Sequence, residues 1–325
     1  MNSTIHKTAL GMVILCLVIT AAQAQHESQP KSTTNIVQKT VIHYRKTEVN
    51  GLNIFYREAG PSDGSVILLL HGFPSSSHMF RNLIPILSVK HRVIAPDLPG
   101  FGFSDAPVRE KYTYTFDNLA ATMQQFIDKL GLKRFAIYVF DYGAPVGFRL
   151  ALANPEKITG IISQNGNAYE EGLSAGWNPI QKYWRDPSQE NRDALREFMQ
   201  LPATRWQYEE GVDDKSLIAP ESYTTDQLFL DRPGIVEIQL DLFKDYQNNV
   251  KLYPEFHKYF KARKPKLLAV WGSRDPYFLP SGAEAYKRDI PDAKVIFYET
   301  GHFALETHAY EIGQEIVKFM AALPK

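Results

Sequence analysis

FAIYVFDYGAPVGFRLA, residues 135–151, holds the makings of a strand and a helix with almost nothing between them. Residues 135–140 form a short continuous apolar run, rich in β-branched and aromatic side chains, which is the pattern of a buried strand. From Gly143 to Ala153 the composition shifts to Ala, Val, Phe and Leu with few polar residues, and a helix is expected. Only Asp141 and Tyr142 are left to make the turn. A strand that becomes a helix within two residues has the geometry of a nucleophile elbow, usually written G-x-S-x-G. The register puts Asp141 in the serine slot, with Val139 and Gly143 in the two glycine slots. Gly143 suits that turn because close strand–helix approach needs a residue without a Cβ. Asp141 is therefore the expected nucleophile. The competing reading is a helix N-cap in an α/β protein without catalysis.

Aspartate in that slot changes the chemistry. A serine attacking a saturated carbon would leave an ether, a dead end. A carboxylate attacking the same carbon leaves an ester on the protein, which water can cleave at the carboxyl carbon. Asp141 thus points to substrates with an electrophilic sp3 carbon and a leaving group, namely epoxides or alkyl halides.

The 325 residues carry 36 Lys and Arg against 36 Asp and Glu, so the net charge is zero. A balanced charge offers no electrostatic footprint for nucleic acid or an anionic membrane. Residues 1–24 stand apart. Lys7 supplies a positive start, residues 9–22 are apolar and uncharged, and Ala22-Gln23-Ala24 has the small-x-small form of a signal-peptidase site. An uncleaved anchor is the alternative, but the run is short for a membrane span. Export is expected, to the periplasm or the medium, with cleavage near Ala24, a mature start at Gln25 and no stable membrane insertion afterwards. Cys16, the one cysteine, lies inside the apolar run, so the mature chain would hold no disulfide.

Residues 25–40 are polar and aperiodic, the pattern of a tether. Residues 41–48 and 52–58 are strand-like and joined by Asn50-Gly51, a strong hairpin signal. The all-aliphatic run 66–70 is the expected central strand. A helix is expected over 79–89, a strand over 92–95, a helix over 116–130 and, after the elbow, a strand over 158–163. Alternation resumes with strands at 266–271 and 294–298 and helices at 282–289 and 306–323. Alternating elements predict a doubly wound, mostly parallel sheet with an antiparallel hairpin at one edge. The core would span 41–164 and 265–325. Between its two parts, residues 165–264 are richer in aromatic and charged residues, with helices expected at 179–184, 189–200 and 234–248. A helical insertion directly after the nucleophile unit is expected to cap the site.

Asp275 and His302 each follow a strand by a few residues. Catalytic groups of open α/β sheets gather at the carboxyl ends of strands. Asp141, Asp275 and His302 occur in the chain order nucleophile, acid, histidine. His302 would activate water, and Asp275 would accept its other ring N–H and fix the tautomer. Residues 71–74, HGFP, close the central strand, and a backbone N–H at Phe73 can pair with that of Tyr142 as an oxyanion hole. His71 itself is expected to be structural. No metal or cofactor is implied, and the expected reactants are a small molecule and water.

HGFP, DLPGFGFSD at 97–105, the aspartate elbow, WGSRDP at 271–276 and GHFALETH at 301–308 together resemble the α/β-hydrolase superfamily. Within it they are similar to the branch of epoxide hydrolases and haloalkane dehalogenases, over nearly all of the chain from Val41 onward. The resemblance implies the α/β-hydrolase fold with a helical cap. No G-x-S-x-G occurs elsewhere, which argues against an esterase or lipase.

The two chemistries need different helpers. An opening epoxide forms an alkoxide and needs an O–H donor, typically cap tyrosines; a halide needs only N–H donors. Dehalogenases of this branch usually place a Trp directly after the nucleophile, with a second Trp or an Asn. This chain has Tyr142 and Phe73 in those positions, which leaves Trp177 and Trp184 as candidate halide donors. The resemblance puts Ile180 and Phe243 where the two epoxide-opening tyrosines usually stand. Tyr183 and Tyr246, each three residues later, are the candidate proton donors. An epoxide hydrolase is the leading expectation and a haloalkane dehalogenase the alternative. A non-catalytic ligand-binding member of the fold ranks behind both.

Overall fold

The computed structural model describes residues 40–324. The expected signal peptide at 1–24, with Cys16, and the tether up to Lys39 lie outside the described residues. Asn50 and Gly51 both take positive φ, 50° and 79°, as a two-residue turn matched to strand twist requires. They join β1 (Ile42–Val49) to β2 (Leu52–Ala59). Then follow β3 (Val66–Leu70), α1 (Ile84–Leu87), β4 (Arg92–Pro96), α2 (Phe116–Lys129), β5 (Phe135–Phe140), α3 (Gly143–Ala153) and β6 (Ile158–Gln164). The described elements between β6 and the next strand are helical: α4 (Asn178–Arg185), α5 (Gln189–Ala194), α6 (Leu201–Glu209), α7 (Pro220–Leu230) and α8 (Ile235–Arg263), with short 3-10 turns among them. The sheet is completed by β7 (Leu267–Gly272) and β8 (Lys294–Tyr298), with α9 (Pro280–Asp289) between them and α10 (Ala304–Ala321) last.

The strands lie in the order β1-β2-β4-β3-β5-β6-β7-β8. β1 and β2 run antiparallel at one edge, and every pairing from β4 to β8 is parallel. Successive side chains of a strand alternate between faces. Accordingly Leu68, Leu70, Ile137 and Val139 join one apolar cluster, with α2, α3 and α8, while Ile67, Leu69, Ala136 and Tyr138 join another, with α1 and α10. Two buried faces explain why β3 and β5 are apolar throughout rather than alternating.

The helices depart from expectation in four places. The helix expected over 79–89 is two pieces, a 3-10 turn at Ser77–Phe80 and the short α1. Pro85 starts α1 but has no N–H with which to continue an earlier helix. The helix expected over 189–200 is α5 followed by a 3-10 segment, Leu195–Met199. α8 runs 29 residues instead of stopping near Asn248. Its interior Pro254 forfeits a backbone hydrogen bond, but Phe256 and Phe260 pack on Phe148 of α3 at centroid distances of 5.3 and 5.4 Å and hold the continuation in place. Finally, α6 and α7 have no counterpart among the expected elements.

Among the described residues, no helix is long and apolar enough to cross a membrane. No group of His, Cys, Asp and Glu among them is placed to hold a metal ion.

Candidate active site

β5 ends at Phe140 and α3 begins at Gly143, so the chain must reverse at Asp141, whose φ is +47°. A left-handed conformation at a non-glycine residue costs roughly 1–2 kcal/mol and persists where packing over-determines it. Gly72 and Gly143 leave no room for any other path. A methyl group on Gly72 would collide with the Asp141 carboxylate and the Tyr142 nitrogen, and one on Gly143 with the Leu70 carbonyl. The strain therefore aims the Asp141 side chain back over the end of β3. There the Phe73 N–H donates to Oδ1 at 2.6 Å, and the Tyr142 N–H also bonds the carboxylate. Asp141 is 6% exposed. Burial pushes its pKa up, the His302 charge and the two N–H groups pull it down, and it settles at about 6.

Asp275 lies just past β7, and all its acceptor positions are in use. Oδ1 accepts from the N–H groups of Tyr277 and Phe278, at 2.7 and 3.1 Å. Oδ2 accepts from Asn165 Nδ2 at 2.6 Å and faces His302 Nδ1 at 2.7 Å. Asn165 Oδ1 in turn accepts from the Gly272 N–H at 3.0 Å. Asn165 thus ties the ends of β6 and β7 together and orients Asp275, a role the sequence reading missed. Its position one residue past a parallel strand is the signal that was available.

His302 is buried between Phe140 and Phe278, at ring distances of 4.6 and 5.8 Å. Burial by itself lowers its pKa, but Asp275, by field and hydrogen bond, and Asp141 outweigh burial and leave it raised. A proton on Nδ1, where Asp275 accepts it, leaves Nε2 with a free lone pair. His71 is different: Nε2 accepts from the Leu98 N–H at 3.0 Å and Nδ1 donates to the Gly72 carbonyl at 3.0 Å. Both nitrogens serve the backbone, as expected for a structural residue.

Asp141 and His302 line one cavity. Phe73, Tyr142, Tyr277 and Phe278 form its α/β-layer wall. The helical segment contributes Trp177, Ile180, Phe198, Gln207 and Phe243.

None of the four expected leaving-group donors presents a donor to this space. Trp177 lines the cavity with its ring, but its N–H donates to the Tyr277 carbonyl at 3.1 Å. The Trp184 N–H donates to the Phe243 carbonyl at 2.7 Å. The Tyr183 hydroxyl accepts from Arg192 at 3.0 Å, and the Tyr246 hydroxyl is engaged with that of Tyr253. The reason is helical geometry. Ile180 and Phe243 face the cavity, and three residues further on a helix has turned to roughly 60° off that face. Tyr246 instead packs beneath it, against Tyr142 and Trp177 at 5.9 and 4.4 Å.

The cavity's remaining polar groups are Tyr142, whose buried hydroxyl has no protein partner, Tyr277 and Gln207. The last two were not singled out in the sequence. Tyr277 follows directly on Asp275-Pro276, a signal that could have found it; Gln207 lies on the unexpected α6.

Residues 65–309 match a family model described as the alpha/beta hydrolase fold. The chain belongs to the α/β-hydrolase fold family. Among curated relatives, this α/β hydrolase is 47% identical over 286 residues to the uncharacterized hydrolase YNR064C of Saccharomyces cerevisiae, covering 86% of this chain and 98% of the relative. It is 27% identical over 299 residues to a haloalkane dehalogenase of Psychrobacter cryohalolentis, covering 86% and 91%. Among solved structures, the epoxide hydrolase CorEH superposes with a TM-score of 0.70 at 20% identity, covering 86% of this chain and 99% of that one. The superposition shows that CorEH shares this chain's fold. The chain is a hydrolase of this family.

Proposed function

We propose that this hydrolase opens small epoxides through an ester formed on Asp141. The observation that carries the reading is the Asp141 carboxylate held by the N–H groups of Phe73 and Tyr142 in a cavity shared with the His302–Asp275 pair. The Phe73 N–H already contacts Oδ1, and the Tyr142 N–H the same carboxylate, so both are placed to hold the negative charge that would build when water attacks the ester.

An Asp141 oxygen attacks an epoxide carbon and the carbon–oxygen bond of the ring breaks. A cavity phenol, Tyr142 or Tyr277, gives its proton to the alkoxide. His302 Nε2 then takes a proton from water as the water oxygen bonds to the Asp141 carboxyl carbon. The tetrahedral oxyanion sits on the two N–H groups. Its collapse expels the diol oxygen, which takes the proton from His302. The carboxylic acid left on Asp141 returns its proton to the phenolate, and one epoxide and one water have become one diol.

A dehalogenase is the second reading, favoured by the similarity to the Psychrobacter haloalkane dehalogenase. Against it, the indole N–H groups of Trp177 and Trp184 are both committed to carbonyls. The purified enzyme should convert 1,2-epoxybutane to its diol and release bromide from 1-bromobutane slowly or not at all. Fast bromide release without epoxide turnover would reverse the order of the two readings.

A further inference from the structure

The helical segment sends five side chains to the cavity, and four of them present only rings or hydrocarbon. The exception is Gln207. It is 2% exposed, and its amide nitrogen has no hydrogen-bond partner. Leaving a buried amide unpaired costs roughly 1–3 kcal/mol, and such a cost is expected where a ligand supplies the missing partner.

Gln207 is held firmly in place. Its neighbour on α6, Tyr208, donates to Asp226 at 2.5 Å and stacks on Phe303 at 3.7 Å, next to His302. Thr204, one turn earlier, donates to Gln227 of α7 at 2.9 Å.

We infer that Gln207 anchors a hydrogen-bonding substituent of the substrate, so that the enzyme selects small functionalised electrophiles bearing a hydroxyl, carbonyl or amide over plain hydrocarbon ones. The amide carries both N–H donors and a carbonyl acceptor, which suits a neutral polar group. No charged side chain apart from Asp141 and His302 lines the cavity, so a charged substituent would go unpaired. The inference rests on the reaction proposed at Asp141, and it concerns the part of the substrate that does not react.

The test compares molecules in which a hydroxyl replaces a methyl group. Glycidol and 1,2-epoxybutane form such a pair, as do 3-bromo-1-propanol and 1-bromobutane. Cyclopentanol and methylcyclopentane form an inert pair whose binding is followed by ligand-observed NMR titration. In the wild type, kcat/KM should favour the hydroxyl member, and in Gln207→Leu and Gln207→Met that preference should shrink by roughly tenfold, one hydrogen bond's worth. Cyclopentanol should weaken to a similar extent, with methylcyclopentane unchanged or tighter. Both variants should melt at or above the wild-type temperature, because each removes a buried unpaired amide. Unchanged substrate ratios and unchanged cyclopentanol affinity would overturn the inference. A melting temperature lowered by several degrees in both variants would also overturn it, since the amide would then be structural. If the wild type turns over neither reactive pair while cyclopentanol still depends on Gln207, the proposed reaction fails and the anchor stands.

Discussion

Replacing His302 by glutamine separates the two halves of the proposed reaction. Alkylation of Asp141 needs no base, whereas cleavage of the ester does. A positioned general base contributes roughly 10²–10⁴-fold, so hydrolysis in His302→Gln should slow by that factor and the substrate mass should accumulate on the protein. The pH dependence of adduct formation follows from the surroundings of Asp141. Only the ionised carboxylate attacks, so the rate falls as pH drops through its pKa. With a pKa of about 6, roughly 90% is ionised at pH 7 and roughly 10% at pH 5 in the wild type. His302 is one of the groups holding that pKa down. Its removal should therefore shift the alkylation limb of the variant above pH 6. Intact-mass spectrometry across a pH series reads both effects, and peptide mapping should place the adduct on the peptide containing Asp141. Asp141→Asn, freshly made, should form none. If His302→Gln shows no adduct with any epoxide or bromoalkane that the wild type consumes, Asp141 is not a nucleophile. An adduct forming equally fast at pH 5 and pH 8 would refute the account of its pKa.

If cavity phenols protonate the opened epoxide, Tyr142→Phe and Tyr277→Phe should each lower the rate of adduct formation in single-turnover mass spectrometry; two unaffected variants would place the donor elsewhere. Asn165→Ala leaves Asp275 and the Gly272 N–H short of a partner each, so ester cleavage should slow more than ester formation, with stability lowered by about 1–3 kcal/mol in urea titrations. Phe148→Ala empties the contact between α3 and α8 and should cost about 3–5 kcal/mol by the same titration, without changing which substrates are accepted. If residues 1–24 direct export, protein recovered outside the cytoplasm should begin at Gln25 by N-terminal mass analysis; a retained Met1 would reject that reading.

The sheet and its strand-end residues could be read from the sequence because their signals are local. β5 is an unbroken apolar run, and Asp141 follows it where only two residues separate strand from helix. Asp275 and His302 likewise follow their strands by a few residues. The helical segment was harder to read for a physical reason. The buried face of α6 is Thr204, Gln207 and Tyr208, and that of α7 includes Ser222, Asp226 and Gln227. Two of these polar residues on each helix pair through the Tyr208–Asp226 and Thr204–Gln227 bonds, and neither helix shows the apolar spacing by which helices are recognised. The expected donors failed for a finer reason. Residues on one helix still differ in where they point, and a rotation of less than a quarter turn separates Ile180 from Tyr183 and Phe243 from Tyr246.

The charge coupling between Asp141 and His302 bears on the order of events. In the resting site the Asp141 anion is one of the groups that raise the His302 pKa, and a proton on the imidazole disables it as a base. In the proposed reaction, esterification would turn Asp141 into a neutral group, and that contribution would vanish. The imidazole would then release its proton more readily, at the moment when a water must be activated. The first half-reaction would thus arm the second, with no moving part and no separate signal. Before a substrate arrives, water beside His302 would more often meet a protonated imidazole, which cannot act as a base, and hydrolysis would wait until the carbon–oxygen bond to Asp141 had formed.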